Sequence, residues 1–285
     1  MASPSWTPQP SDYDKLDRWD RSWDAFGTAW RLMTRTPALK GTAAAAFAAF
    51  VVAFLVLFGP VFAWWISTDN RLVLVAGSAI AAFPFLFVTI YFTVAMLAAA
   101  NACMDGERLT VRQSFAVANR RLWQIAGWSL LAAGVGAVLD ALAEWIPGFG
   151  HVARWVLGTA WGLATIFAIP VIVIEGVGGR QAALRSARTF RQAWGDAVVG
   201  YISITFCTIV LTIPACLAIG TGLVAGATVG GLILAGVGVA LLAVSLFLSV
   251  TLERLYALVL YRFIHEGEVH GGFSERQLRD AVFTK

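Results

Sequence analysis

Apolar runs longer than about 18 residues recur along this chain, and the lysines and arginines between them gather in every second loop. A run of that length, wound as a helix at about 1.5 Å per residue, reaches across the roughly 30 Å of a bilayer's hydrocarbon. Six such spans are predicted, at residues 41–66, 72–104, 123–145, 153–175, 197–219 and 228–264. Of the 285 residues, 59% are hydrophobic and 13% charged. Soluble domains carry about 25% charge, so water is the wrong solvent for most of this surface. The expected fold class is all-α: a polytopic transmembrane helix bundle. Residues 1–40 form an N-terminal segment, 41–264 the membrane domain and 265–285 a C-terminal tail. The first forty residues hold no signal-peptide core, so the first span is expected to act as an uncleaved anchor.

The charges set an orientation. Lys15, Arg18, Arg21, Arg31, Arg35 and Lys40 precede the first span. Arg108, Arg112, Arg120 and Arg121 fill the second loop, and Arg180, Arg185, Arg188 and Arg191 the fourth. Arg254, Arg262, Arg276, Arg279 and Lys285 lie at or beyond the end of the last span. The first and third loops hold only Arg71 and Arg154. Positive loops stay on the cytoplasmic side. Both termini are therefore expected in the cytoplasm, and the protein in the cytoplasmic (inner) membrane.

The basic loops share a design. At 100° per residue, Arg180, Arg185, Arg188 and Arg191 fall in one arc of roughly 140°, opposite Ala183, Ala187, Phe190 and Trp194. This predicts an amphipathic helix at the inner interface, with its arginines on lipid headgroups and its tryptophan at interface depth. In "GERLTVRQSFAVANRRLWQIAGW", Thr110 and Gln113 suit a capping box. Val111, Phe115, Ala118 and Leu122 make an apolar face, and Arg112, Gln113 and Arg120 a polar one. Trp123 precedes its span as Trp194 does, and "WDRSWDAFGTAWRLMTRTPALKG" has the same character. Three spans end in an acid and a glycine: Asp105-Gly106, Glu175-Gly176 and Glu266-Gly267. Glycine suits a left-handed helix cap. The acid opposes the helix dipole and calls for an arginine from a neighbouring interfacial helix. These parallels predict three repeated units, each an interfacial helix followed by a two-span hairpin.

Residues able to do chemistry are few. Asp140 and Glu144 share a helix face, which can bind a cation or relay a proton; the simpler expectation is an outer-surface position, solvated or paired with Arg154. Glu253 and Arg254 interrupt the last span and are expected to pair with a neighbouring helix, as is Glu175 with Arg180 or another loop arginine. His151, His265 and His270 have no partners that complete a metal set, and Cys103, Cys207 and Cys216 show neither metal spacing nor an even count for disulfides. No histidine lies in a span to activate Ser78, and no phosphate-binding or dinucleotide loop is present. The sequence thus predicts no catalytic residue, cofactor or metal site, and no nucleic-acid binding.

The stretches "SWDAFGTAWRLM", "VTIYFTVAMLAAA", "AWGLATIFAIPVIVIEG", "ALRSARTFRQAWGDAVVG" and "LYRFIHEGEVHGGFSERQLRDAVF" together resemble an uncharacterised family of six-span membrane proteins of bacteria and archaea. That family usually has Asn at the place of Thr93 and Tyr-Ala at the place of Phe263-Ile264. A looser similarity is to the membrane domains of some glycerophosphodiester phosphodiesterases, which implies a lipid context. The resemblance implies a fold and no activity. Two functions remain. One is a non-catalytic membrane-organising or accessory protein, whose partners are membrane lipids or an unidentified membrane protein and whose headgroup contacts come from Arg112, Arg120, Arg121, Arg180, Arg185, Arg188 and Arg191. The other is a transporter or flippase for a lipid or small apolar solute.

Overall fold

The computed structural model describes residues 37–146, 149–192, 212–226 and 228–266, with isolated positions between 27 and 34 and Val210. Every regular element among them is an α-helix. In chain order these are α1 (Pro37–Thr68), α2 (Arg71–Met104), α3 (Val111–Arg120), α4 (Leu122–Trp145), α5 (Gly150–Ala164), α6 (Ala168–Glu175), α7 (Gly179–Gln192), α8 (Thr212–Val224) and α9 (Val229–Glu266). By length and composition, five stretches can cross a membrane: α1, α2, α4, α5 with α6, and α9. The predicted span 197–219 lies mostly outside the described residues; its described part belongs to α8, which continues to Val224.

Local chemistry explains the turns. Asp69 takes φ +48°, and Asn70 caps α2 by accepting a hydrogen bond from the Leu72 N–H at 2.9 Å. At the far end of α2, the Glu107 N–H donates to the Ala102 carbonyl at 2.9 Å and the Gly106 N–H to Cys103 at 3.2 Å. Gly106 sits at φ +79°, the left-handed position such a cap requires. Thr110 and Gln113 form the expected capping box at the start of α3. Proline does not end α1 or α2, which run on past Pro60 and Pro84.

The spans meet through interlocked aromatic and small residues. Phe50, Phe54 and Phe58, spaced four apart on α1, surround Phe85 of α2 with ring centroids 5.4–6.3 Å away. Phe247 of α9 packs on Phe47 at 5.1 Å. The small residues Ala98, Ala99, Ala100 and Ala102 of α2 are all buried, where they suit close helix contact. On α9, Gly238 closes against Ile219 and the Ala215 carbonyl of α8, while Gly236 faces open space.

The bundle has two unlike ends. Trp123 and Trp145 are 89% and 85% exposed and mark the ends of α4. Twenty-two residues of helix separate them, about 33 Å, which matches a hydrocarbon layer flanked by interfacial tryptophans. Between those levels the helices turn large apolar side chains outward, among them Leu55, Ile80, Leu130, Val156 and Ile233. Toward the Trp123 end the chain is densely packed. Val94–Ala100 of α2, Ala168–Val173 of α6 and Leu255–Phe263 of α9 are buried without interruption. Helices α2 and α9, with 34 and 38 residues, exceed what the apolar band needs even with ordinary tilt. Their surplus turns make this core, and α3, α6 and α7 cover it.

One element departs from expectation. The predicted span 153–175 is not a single helix: α5 starts at Gly150 and ends at Ala164, and residues 165–167 form a turn before α6. In an unbroken helix the Pro170 ring would collide with the Ile166 carbonyl and leave it without a donor. Breaking the helix just ahead places Pro170 in the first turn of α6, where no N–H is needed.

Candidate functional site at the basic end

Helix α6 is short, almost wholly apolar and buried, so its free ends pose the main problem of this region. Side chains from three other parts of the chain solve it. At the break, Ser186 of α7 accepts a hydrogen bond from the Phe167 N–H at 3.0 Å and donates one to the Ala164 carbonyl at 2.8 Å. Its single hydroxyl closes both sides of the gap and is fully buried. Arg254 of α9 donates to the Ile166 carbonyl at 3.4 Å, the group Pro170 deprives of a partner. At the other end Gly176 turns at φ +68°. There Arg121 donates to the Ile172 carbonyl, and Gln124 to the Gly176 carbonyl at 3.3 Å. Burial lowers the pKa of Arg121, but a guanidinium keeps its charge at any physiological pH.

Two ionic nodes complete the region. Glu175, at the C-terminus of α6, pairs with Arg185 of α7 and accepts a hydrogen bond from the Tyr261 hydroxyl of α9. Arg262 of α9 pairs with Asp105 at 2.6 Å and with Glu266 at 2.8 Å, and donates to the Asn101 carbonyl at 3.4 Å. All three acids at span ends face an arginine, which offsets the helix dipole, but the expected source holds for Glu175 alone. Only Arg185 comes from an interfacial helix; Asp105 and Glu266 share one arginine of the last span.

The docking of α7 depends on a close approach. A Cβ on Gly179 would stand 2.5 Å from the Trp128 backbone nitrogen and 2.7 Å from the Gly127 carbonyl carbon. Trp128 in turn stacks on Trp161 of α5 with centroids 6.1 Å apart. Ala182, Ser186, Thr189 and Phe190 face inward, so the protein itself covers the less polar side of α7, where the predicted interfacial helix would have rested on lipid. Of the expected face, Ala183 and Ala187 are only half-buried, and Trp194 lies outside the described residues. On α3 the buried line runs through Ser114 and Ala118, whereas Val111 and Leu122 turn outward.

The predicted site residues separate into two sets. Arg121 and Arg185 are engaged within the protein. Arg112, Arg120, Arg180, Arg188 and Arg191 are exposed and form no ion pair among the described residues. Asp140 pairs with Arg154, Glu144 is exposed, and Glu253 accepts a hydrogen bond from Ser249 at 3.0 Å. Among the described residues no cluster of three metal-ligating side chains exists. Thr93 bonds within its own helix, to the Thr89 carbonyl at 2.7 Å. Ser186, Tyr261 and Gln124 were not legible as partners, because their contacts lie 22, 86 and 52 residues away. Pro170 beside a basic helix is the one local hint.

Replacing Ser186 with Ala leaves the Phe167 N–H and the Ala164 carbonyl buried without partners. The expected cost is about 1–3 kcal/mol, read as unfolding in detergent micelles, with faster amide exchange at Phe167. A loss under about 0.5 kcal/mol with unchanged exchange would show that water seals the break instead.

Long outward-facing apolar helices joined to a buried basic end define a polytopic helical membrane protein. Residues 77–273, more than half of the chain, match the model of a family of unknown function, DUF6159. The chain belongs to that family. The match begins within α2, so α1 stands outside it. No curated protein and no solved structure matches the chain.

Proposed function

We propose that this protein is a six-span, non-catalytic component of the cytoplasmic membrane, with both termini inside, that gathers anionic lipid or a partner protein at its basic face. The observation that carries this reading is the division of labour on α7. One side is locked into the core by Gly179, Ser186 and Phe190, while Arg180, Arg188 and Arg191 stand exposed. A helix built only to pack would not need three uncommitted arginines at headgroup level. The two basic helices are placed alike, α3 on α1 and α2 and α7 on α4, α5 and α6, but each rests on the hairpin before it and not on the one that follows it in the predicted unit.

Arg180, Arg188 and Arg191 together changed to Gln, with Arg185 kept for Glu175, should remove the preference for anionic lipid. Each basic residue near an anionic surface contributes about 1 kcal/mol. The assay is mass spectrometry of lipid co-purified from nanodiscs of equal phosphatidylglycerol and phosphatidylcholine. Equal enrichment in wild type and variant would sink the lipid reading.

The broken α5–α6 span favours the second reading, a transporter, because interrupted helices line many substrate paths. Against it, Ser186 and Arg254 already occupy the backbone groups that the break frees.

A further inference from the structure

An apolar cavity of ≈ 460 Å³ lies between α5 and the end of α7. Trp155, Ala160 and Leu163 form one wall and Ala187 and Phe190 the other; among the described residues Arg191 is the only charged one that lines it. The cavity is open at the protein surface, on the side of α5 where Trp155 and Val156 are exposed. We propose that this groove holds one acyl chain of an anionic phospholipid of the inner leaflet, with its phosphate on Arg191. The inference rests on the lipid-binding reading above and adds a defined site to it.

Three observations support this occupant. The first is length: from Trp155 to Ala164 the α5 wall rises about 14 Å, close to half of a 30 Å hydrocarbon layer. A groove of that extent fits one leaflet. The second is direction. Ser186 fixes α7 against Ala164 at the basic end, and Arg191 follows five residues later. The charge therefore sits at the headgroup end of the groove, and the walls further along α5 are apolar. The third is charge. Arg191 is exposed and makes no ion pair among the described residues, so its guanidinium is available to a phosphate, which it can grip with two N–H groups.

The test uses the full chain in nanodiscs of equal phosphatidylglycerol and phosphatidylcholine, released into the gas phase for native mass spectrometry. Wild type is expected to keep one phosphatidylglycerol. Ala160→Trp, which fills the groove from an exposed position, should lower that retention at least about ten-fold while the looser enrichment of anionic lipid persists. Ala187→Leu attacks the same space from the other wall and guards against a folding defect in the first variant. Arg191→Gln should keep a lipid but reduce the preference for phosphatidylglycerol about five-fold, the weight of a single arginine. Unchanged retention in both groove-filling variants would overturn the site, as happens if residues 197–211 of the chain itself occupy the groove. Absence of any anionic preference in wild type would overturn the broader reading and the site with it.

Discussion

Replacing Arg262 with Leu is expected to destabilise the protein by about 2–3 kcal/mol, one of the largest losses from any single side chain outside the apolar core. Arg262 is 9% exposed and lies between Asp105 and Glu266. Both carboxylates sit at helix C-termini, where the dipole already opposes them. Removing the guanidinium leaves two like charges facing each other over a buried stretch of α2 and α9. The full penalty for orphaning a buried ion is higher, but the two acids are 41% and 39% exposed, so water recovers part of it. Arg262→Lys keeps the charge and loses the fork that serves two acids at once, so it should recover only about half of the loss. Adding Asp105→Asn and Glu266→Gln to Arg262→Leu should restore most of the stability, because the two carboxylates then no longer repel each other. Reversible unfolding in mixed micelles measures each step. If Arg262→Leu alone stays within about 0.5 kcal/mol of wild type, the node is a surface pair of the ordinary weak kind.

Gly179→Ala should cost about 2 kcal/mol, while Gly178→Ala next to it should stay within about 0.5 kcal/mol. The contrast comes from surroundings alone. A methyl on Gly179 meets backbone atoms of Gly127 and Trp128, which cannot rotate away; one on Gly178 meets nothing within 4 Å. To make room, α7 must lift from α4. The same movement draws Ser186 from the break and Arg185 from Glu175, so the variant should also show faster exchange at the Phe167 amide. Equal stability of the two variants would mean that α7 is not seated on α4 as described.

Much of the architecture was legible in the residues. Length and apolarity alone placed α1, α2, α4 and α9 close to where they occur. Thr110, Gln113, Gly106 and Gly176 marked helix ends by local rules that need no neighbours, and each does so in the fold. Positions at one end of a hairpin left Asp140 and Glu144 either solvated or paired with Arg154, and it is Asp140 that pairs. The region around α6 was much less legible. Pro170 marks a disturbance in the apolar run, which either a kink or a break can relieve. Whether a helix kinks or breaks depends on what stands ready to take the freed backbone groups. Here these are Ser186 and Arg254, 22 and 88 residues away from the atoms they serve.

The α7 arginines show the same limit. Helical periodicity put Arg180, Arg185, Arg188 and Arg191 on one side, and that is where they lie. Periodicity cannot say whether the opposite side rests on lipid or on protein, because both are apolar solvents for a side chain. The packed end decided it: the surplus length of α2 and α9 provides a protein surface at the level of α7. Gly179 brings the backbones into contact there, and Ser186 has a buried donor and acceptor to serve. What the residues determined by themselves was the solvent of each segment and the sequence of helices, since hydrophobicity and capping act within a few turns. What only the tertiary structure decided was which of the described arginines are committed inward and which stay exposed. That choice follows from contacts between residues far apart in the chain, where buried hydrogen bonds and ion pairs must close together or not at all.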